Sequence, residues 1–584
     1  MAETIVSPGV LTRENDQSQI TSQPVVVGAA LLGPTVKGKP NIPTIVTSYS
    51  DYQSKFGTTF TSGSGVGGVE KSFLTSIAAK NYFDNGGETL AVTRIVSLSA
   101  AFNAASSSAI ATGSGGPSHQ LDPFVLETLS EGTILNSINS DGTSTVGTNG
   151  ILTNGTDDNF RWEVRDSNTS QGTFTLVIRR GDDRDQNKIV LEEFAGLSLD
   201  PKSPSYIIKQ IGDQVQTVRG SGTDIYLQTT GSYRNASRYV RVKAVNNNTP
   251  DYFDNNGTAK DALTGSIPIN QSGTFSGGNG DVYFGADTLY QKINATSTQG
   301  VVGTSYDDAI NLHANKDDFR FNVISAPGLY YEGYSTQVNN LISVCENRGD
   351  AIAVVDLVAY NSTITNVNTQ AGQIDSSYAA TYWPWVQIQE PDLGTLEFVF
   401  PSTLIPGVYA FTDNVSEPWF APAGINRGGL SRVNQAERKL TQANRDDLYT
   451  NKVNPLATFP GRGVVVFGQK TLQTRATALD RVNVRRLLIA LKTFIGQVAD
   501  NLVFEQNTAA TRNNFLAQVN PYLESVQQRQ GLFAFNVVMD DSNNTPDVID
   551  RNRLVGQIFV QPTRTAEFIV LDFNVLPTGA EFPS

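Results

Sequence analysis

The sequence predicts a multidomain α+β protein, with an α+β C-terminal domain, a central α/β domain and a β-rich region inserted into it. Three observations lead there. The chain has 584 residues, too many for one ordinary core, so roughly two to four domains are expected. It carries 51 glycines and 25 prolines but only 17% charged residues, a composition of many turns and strands. In the last third, helical periodicity gives way to strand alternation.

Residues 1–23 read as an arm. Ile5-Val6-Ser7-Pro8-Gly9-Val10-Leu11 has a turn signal between two short extended pieces, and polar Asn15 to Ser22 follows. Val25 to Leu32 and Thr44 to Thr47 are apolar strands. Glu70 to Phe83 reads as a helix ended by Asn85-Gly86-Gly87, and Thr89 to Val96 as a strand with Arg94 near its end. Residues 99–314 are the insertion. Its flanks are dense in Ser, Gly, Thr and Asn, and between them lie strands Phe160 to Arg165 and Thr173 to Arg179 and a short helix near Tyr206 to Gly212. Gly277-Gly278-Asn279-Gly280 reads as an outward loop able to accept an inserted tag. Regular pattern resumes at Phe319: a strand ends in Ala326-Pro327-Gly328, Val338 to Asn347 is helical, and Ala351 to Leu357 is a buried strand with a late Asp356.

The C-terminal domain is expected over residues 429–565. Val484, Leu487, Leu488, Leu491, Ile495 and Val498 fall at helical spacing, with Asp480 as N-cap. A second amphipathic segment, Thr511 to Val526, should end or kink at Pro521. Three strand-like runs follow, Phe533 to Met539, Leu554 to Val560 and Phe568 to Val575. In the last, Ile569, Leu571, Phe573 and Val575 share one face.

Net charge is −13, pI about 4.8 and mean hydropathy −0.23. That balance disfavours direct nucleic-acid binding, which needs concentrated Lys and Arg. No apolar run approaches a bilayer span, so no membrane insertion is expected. The one cysteine, Cys345, excludes an intrachain disulfide framework and reads as a buried apolar residue.

Chemistry-bearing motifs fail on inspection. Gly63-Ser64-Gly65-Val66-Gly67-Gly68 satisfies G-x-G-x-x-G, but no buried strand leads into it and no Lys-Ser or Lys-Thr follows. Asp183 to Asn187 and Asp540 to Asn544 alternate oxygen ligands, yet Lys188 and Thr545 stand where a calcium loop needs glycine. His119 and His313 have no metal-ligand spacing. No catalytic, cofactor or metal residue is assigned, and no enzyme activity is expected. Arg485, Arg486 and Arg512 lie near helix starts, where the dipole disfavours cations. They read either as a solvated face or as contacts to acidic groups of a neighbouring molecule.

The ordered set Asn454-Pro455-Leu456-Ala457-Thr458-Phe459-Pro460-Gly461, Val464-Val465-Val466-Phe467-Gly468, Asp480-Arg481-Val482-Asn483-Val484-Arg485-Arg486-Leu487, Asn543-Asn544-Thr545-Pro546 and Ile549-Asp550-Arg551-Asn552 resembles the C-terminal domain of contractile phage tail sheath proteins, T-even-like ones above all. The Ser-Pro-Gly-Val opening, Ala326-Pro327-Gly328, Trp383-Pro384-Trp385 and Ala421-Pro422-Ala423-Gly424 match sheath motifs in order. The resemblance covers roughly residues 1–97 and 317–584 and is patchy between.

It implies a non-enzymatic subunit that polymerises as stacked six-membered rings around a tail tube and contracts to drive the tube through the host envelope. Implied partners are further copies of the chain, the tube protein, and baseplate and tail terminator proteins. The place is the virion tail, assembled in the host cytoplasm. It further implies a central sheath domain over 24–98 and 315–428, an inner C-terminal domain, and inter-subunit arms at 1–23 and 566–584. The arm residues would be Ile5, Val6, Val10, Leu11, Ile569, Leu571, Phe573 and Val575. Tube or neighbour contacts would fall to Arg485, Arg486 and Arg512. A bacteriocin or other injection-device sheath would share this mechanism; a β-rich fibre or adhesin is the reading from a different class.

Overall fold

The computed structural model describes residues 28–62, 69–97, 102–112, 122–137, 150–280 and 293–567. Its longest apolar runs form one eight-stranded sheet. The strands lie in the order Thr44–Val46, Leu90–Arg94, Ala29–Gly33, Val323–Tyr330, Ile352–Asp356, Ala379–Trp383, Asn454–Phe459, Gly463–Val466. The six inner strands are parallel, and the two outermost run antiparallel to their neighbours. Five of the inner strands are buried along their whole length. A parallel sheet is covered on both faces, so its strands read as continuous apolar runs and do not alternate. Helix Leu74–Asp84 packs on Ile405–Val415, and helix Tyr331–Arg348 packs on the two strands flanking it in sequence. Cys345 is buried on that last helix, where burial pushes its thiol pKa up.

The expected helix from Glu70 starts late. Val69–Ser72 is a strand paired antiparallel with Thr59–Ser62, and the helix begins at Leu74. Long-range polar contacts hold the segment extended: Lys71 reaches Glu397 at 3.3 Å and the Ser72 hydroxyl donates to Glu390 at 2.9 Å. The Gly63 to Gly68 run lies outside the described residues, but the segment after it is a strand, and a dinucleotide fingerprint needs a helix there.

Residues 293–314 were expected in the insertion and instead complete the central core, where Val301, Tyr306 and Ile310 are buried. Their small polar composition hides a structural task. Gln299, fully buried, accepts from Leu74 N at 2.8 Å and donates to Pro327 O at 3.2 Å; Thr298 donates to Gly328 O at 2.8 Å. That loop therefore satisfies a helix N-terminus together with the Ala326-Pro327-Gly328 segment, which does not end the strand as expected but is an irregularity within Val323–Tyr330. Gly328 has φ +105, and a Cβ there would meet the Gln299 amide at 2.6 Å, so this position requires glycine.

The insertion has its own core between two antiparallel sheets, one of four strands and one of three. Phe124 stacks on Phe174 across it at 5.6 Å. It is tied firmly to the central sheet. Buried Arg94 donates to the carbonyls of Gly38 and Glu131, both at 2.6 Å, and buried Lys37 pairs with Asp158 at 2.8 Å. The loop at Gly277–Gly280 is part of this structure and not free surface. Asn279 pairs with Asn103, Gly278 N donates to Asn136 at 2.8 Å and Gly280 O accepts from Thr133 N at 3.1 Å. By contrast, Gly220 to Gly222, at the tip of the hairpin Val215–Arg219 and Tyr226–Thr230, are exposed.

Residues 429–472, expected in the C-terminal domain, pack on the central core through Leu440, Leu448, Leu456, Val464 and Leu472. A third, smaller core belongs to the C-terminal unit. It gathers Trp419, Leu487, Leu491, Phe515, Val519, Leu523, Val526 and Leu532. Helix Ala509–Gln528 does not end at Pro521 but continues past it, because its stripe of Phe515, Val519, Leu523 and Val526 is buried on both sides of the proline.

Two outcomes test this account. An epitope inserted after Gly222 should leave the melting temperature unchanged, whereas the same insertion at Gly278 should lower it by several degrees in a thermal scan. The second concerns Asp356, which is buried, caps the turn at Ser402 N (3.2 Å) and accepts from the Ser402 hydroxyl, with burial pushing its carboxyl pKa up to about 7. The fold holds this proton up to about pH 7, whereas an unfolded aspartate loses it near pH 4. Stability from this group is therefore present at acidic pH and lost between those values, by up to about 1.4 kcal/mol per unit. Asp356→Asn should flatten the pH dependence of unfolding over that window.

Candidate assembly interface

The C-terminal unit presents an incomplete sheet. Leu532–Val538 and Gln557–Pro562 pair antiparallel, and neither has a third strand beside it among the described residues. Two strands alone are marginal in water. Here one face is held by helix Ala509–Gln528: Phe535, Val537, Ile558 and Val560 pack into the third core. The other face carries Phe533, 75% exposed, and Phe559, 56% exposed. Among the described residues neither outer edge has a partner strand, and such edges template further strands. The expected third run, Phe568 to Val575, and every arm residue named from sequence (Ile5, Val6, Val10, Leu11, Ile569, Leu571, Phe573, Val575) lie outside the described residues.

This sheet is positioned by helix Val482–Asp500, hereafter the junction helix. It has two apolar faces. Val482 and Ile489 enter the central core, while Leu487, Leu491 and Val498 enter the C-terminal one. Its N-cap is Arg481 and not Asp480, which ends a short 3-10 turn at Ala478–Asp480.

The arginines proposed as contacts to a neighbour or tube are already committed within the chain. Arg485 donates to Ser377 O at 3.2 Å and to its hydroxyl at 2.5 Å, and stacks 3.9 Å from the Tyr378 ring centroid; burial lowers its pKa. Arg486 donates to Asp413 at 2.7 Å and lies over Tyr409 at 4.6 Å. Arg512 is buried and pairs with Asp541 at 2.8 Å. Neither the solvated-face reading nor the free-contact reading describes Arg485 and Arg486, which face the central domain. Their partners are 73 and 108 residues away in sequence, so clustering at a helix start was the only signal available. Burial raises the Asp413 carboxyl pKa, and Arg486 pulls it back only in part.

Sequence reading missed Glu567. Its carboxylate accepts from Arg481 Nε at 2.7 Å and Nη2 at 3.0 Å, from the Tyr449 hydroxyl at 2.9 Å and from Gln469 Nε2 at 3.0 Å. Burial alone would raise its pKa, but the hydrogen bonds from Arg481, Gln469 and Tyr449 hold it below the usual range. An acidic residue just ahead of an alternating apolar run was the only hint in the sequence.

Other polar clusters are structural. Asp183 is taken by Arg179 at 2.7 Å, and Asp540 caps Ser542 N at 2.9 Å. His313 is buried, donates from Nδ1 to Ala309 O at 2.7 Å and pairs through Nε2 with the Thr93 hydroxyl at 3.3 Å, and burial lowers its pKa to about 4. Among the described residues no group of three or more His, Cys, Asp or Glu is placed to hold a metal ion. No helix there is long and apolar enough to cross a membrane.

Removing one partner of a buried ion pair typically costs about 3 to 5 kcal/mol, because the other charge is stranded. Arg486→Ala should therefore destabilise the isolated subunit in denaturant unfolding, by an amount that 0.5 M salt does not erase.

Comparison with known proteins agrees with this architecture. Residues 300–472 match the phage tail sheath protein central domain, and residues 474–575 match the phage tail sheath C-terminal domain. The tail sheath protein of Vibrio phage KVP40 is 33% identical over 341 residues, 57% of this chain and 51% of that protein. That of Enterobacteria phage T4 is 42% identical over 178 residues, 30% of this chain and 27% of that protein. The chain thus spans about half the length of the first relative and about a quarter of the second. A sheath tail protein from Listeria innocua, known from a crystal structure, shares the fold over 92% of this chain and 96% of its own, at 11% identity and TM-score 0.51. With a sheath central domain and a sheath C-terminal domain joined in that order, residues 300–575 of the chain belong to the phage tail sheath protein family.

Proposed function

We propose that the chain is a structural subunit of a contractile tail sheath, polymerising as stacked six-membered rings around the tail tube and contracting to drive that tube through the host envelope. It works in the virion tail, after assembly in the host cytoplasm. Its partners are further copies of itself, the tube protein, and the baseplate and tail terminator proteins. The observation that carries this reading is the C-terminal sheet, which among the described residues has only two strands, in a unit with its own hydrophobic core. Chain segments with strand character stand at both ends, Ile5 to Glu14 and Phe568 to Val575. Added from neighbouring subunits, they complete the sheet by β-augmentation: backbone groups give affinity and alternate side chains give register. A head-to-tail contact of this kind repeats without closing, which suits a helical polymer.

The balance at each contact is small. A strand gains about 0.5 to 1.5 kcal/mol net per hydrogen bond, while ordering it costs about 1 to 2 kcal/mol per residue. Burial of Ile569, Leu571 and Phe573 has to tip it. Single contacts are weak and the lattice is cooperative. Contraction draws on the packing difference between two lattices and needs no nucleotide.

Deleting residues 1–18 is expected to leave a soluble subunit with normal circular dichroism that forms no long sheaths in negative-stain images. The double change Leu571→Asp and Phe573→Asp should do the same. Sheaths of normal length from the deletion would rule out arm exchange.

A further inference from the structure

Strand Gln557–Pro562 ends at one edge of the C-terminal hairpin, yet the chain does not leave the fold there. Five more residues carry it to the seam between the junction helix and the central domain. Gln469 donates to the Thr565 hydroxyl at 2.6 Å, and the Glu567 carboxylate then takes four donors. These donors come from three places: Tyr449 on the helix Gln442–Thr450, Gln469 in the segment after the central sheet, and Arg481 at the junction helix N-cap. Arg481 is itself oriented by Asp480 at 3.0 Å, and Lys470 lies over the Tyr449 ring at 4.4 Å. Four donors on one carboxylate, two of them from a guanidinium fork, fix a chain position far better than a single surface pair does.

We infer that Glu567 is a positioning residue that anchors the root of the C-terminal segment to the central domain and the junction helix, so that its reach to a neighbouring copy is measured from that seam and not from the hairpin. The inference rests on reading residues 568–575 as a strand donated to another subunit. It adds a mechanical consequence. Five residues span at most about 18 Å extended, so if the anchor is lost the root can wander over that range. Tension along the donated strand then peels strand Gln557–Pro562 from its hairpin, whereas with the anchor it loads the rigid seam. The anchor also links the donated strand to the junction helix, the element that orients the acceptor sheet.

The test compares full-length wild type, Glu567→Gln, Arg481→Gln and a chain truncated after Glu567. Spin labels at Val570 and Asp446 report how tightly the root is held to the central domain. Sedimentation gives the critical concentration for self-assembly. Glu567→Gln and Arg481→Gln should keep the melting temperature of the monomer within a few degrees and broaden the label distance distribution. They should raise the critical concentration about tenfold, equivalent to ~1.4 kcal/mol. Truncation should abolish assembly. If truncation abolishes assembly but neither substitution moves the distance distribution or the critical concentration, the anchor is refuted and arm donation stands. If truncation leaves assembly intact, arm donation itself fails, and the anchor with it. Should Glu567→Gln fail to fold, Tyr449→Phe removes one donor alone, and an unchanged critical concentration in that variant would equally refute the anchor.

Discussion

One helix has to satisfy two hydrophobic cores, and the arrangement of the protein depends on it. An ordinary surface helix has a single apolar stripe and a solvated back. The junction helix has no such back over its first half: Val482 and Ile489 serve the central core, and Leu487 and Leu491 the C-terminal one. Whatever polar residues share those turns are buried too. Asn483, Arg485 and Arg486 are each under 5% exposed. They are tolerable only because each finds partners, Trp419 O, Ser377 with the Tyr378 ring, and Asp413 with the Tyr409 ring. The C-terminal sheet is thereby held in one orientation relative to the eight-stranded sheet, without a large direct contact between them.

The charges of this seam set direction more than they add stability. A buried pair roughly returns its own desolvation cost, yet breaking it is expensive. Cations at a helix start also oppose the dipole. The seam accepts both penalties, and the raised Asp413 pKa shows that burial outweighs its partner there. A seam closed by apolar contacts alone could slide. One closed by Arg485 on Tyr378, Arg486 on Asp413 and Arg481 on Glu567 has a single register. In the sheath role proposed above, where a subunit would pass load from one neighbour to another, register is the useful property.

The fold was legible wherever burial is continuous or periodic. Four of the six parallel strands, the two long C-terminal helices and the Asn85-Gly86-Gly87 stop are visible because each follows from local pattern; Ala379–Trp383 and Asn454–Phe459 were not read as strands. What escaped depends on distant partners. Val69–Ser72 carries helical periodicity but pairs as a strand once Thr59–Ser62 and Glu390 are in place. The loop around Gln299 reads as surface because its side chains are polar, and it is buried because those side chains replace missing backbone partners. The arginines looked available because Asp413 and Ser377 are far away in sequence. Domain boundaries at 314 and 429 were drawn where composition changes, and packing changes elsewhere.

An open sheet edge in a soluble protein is a hazard, since any exposed strand can pair with it. Several features restrain it here. The two strands are short, seven and six residues, and a bulge between Leu532 and Ala534 twists one edge at its start. Pro562 removes a donor at the end of the other. Asn536, Gln557 and Gln561 break up the outer face around Phe533 and Phe559. A stray strand therefore gains a few hydrogen bonds and little burial, which does not repay the entropy of ordering it. A strand tethered to a subunit already in the lattice has paid part of that entropy through its anchor, and its effective concentration at the acceptor edge is set by the length of its tether. Under the arm exchange proposed above, the same sheet would then be inert in the free subunit and sticky in the ring, a difference that favours growth at the end of the polymer over aggregation in solution.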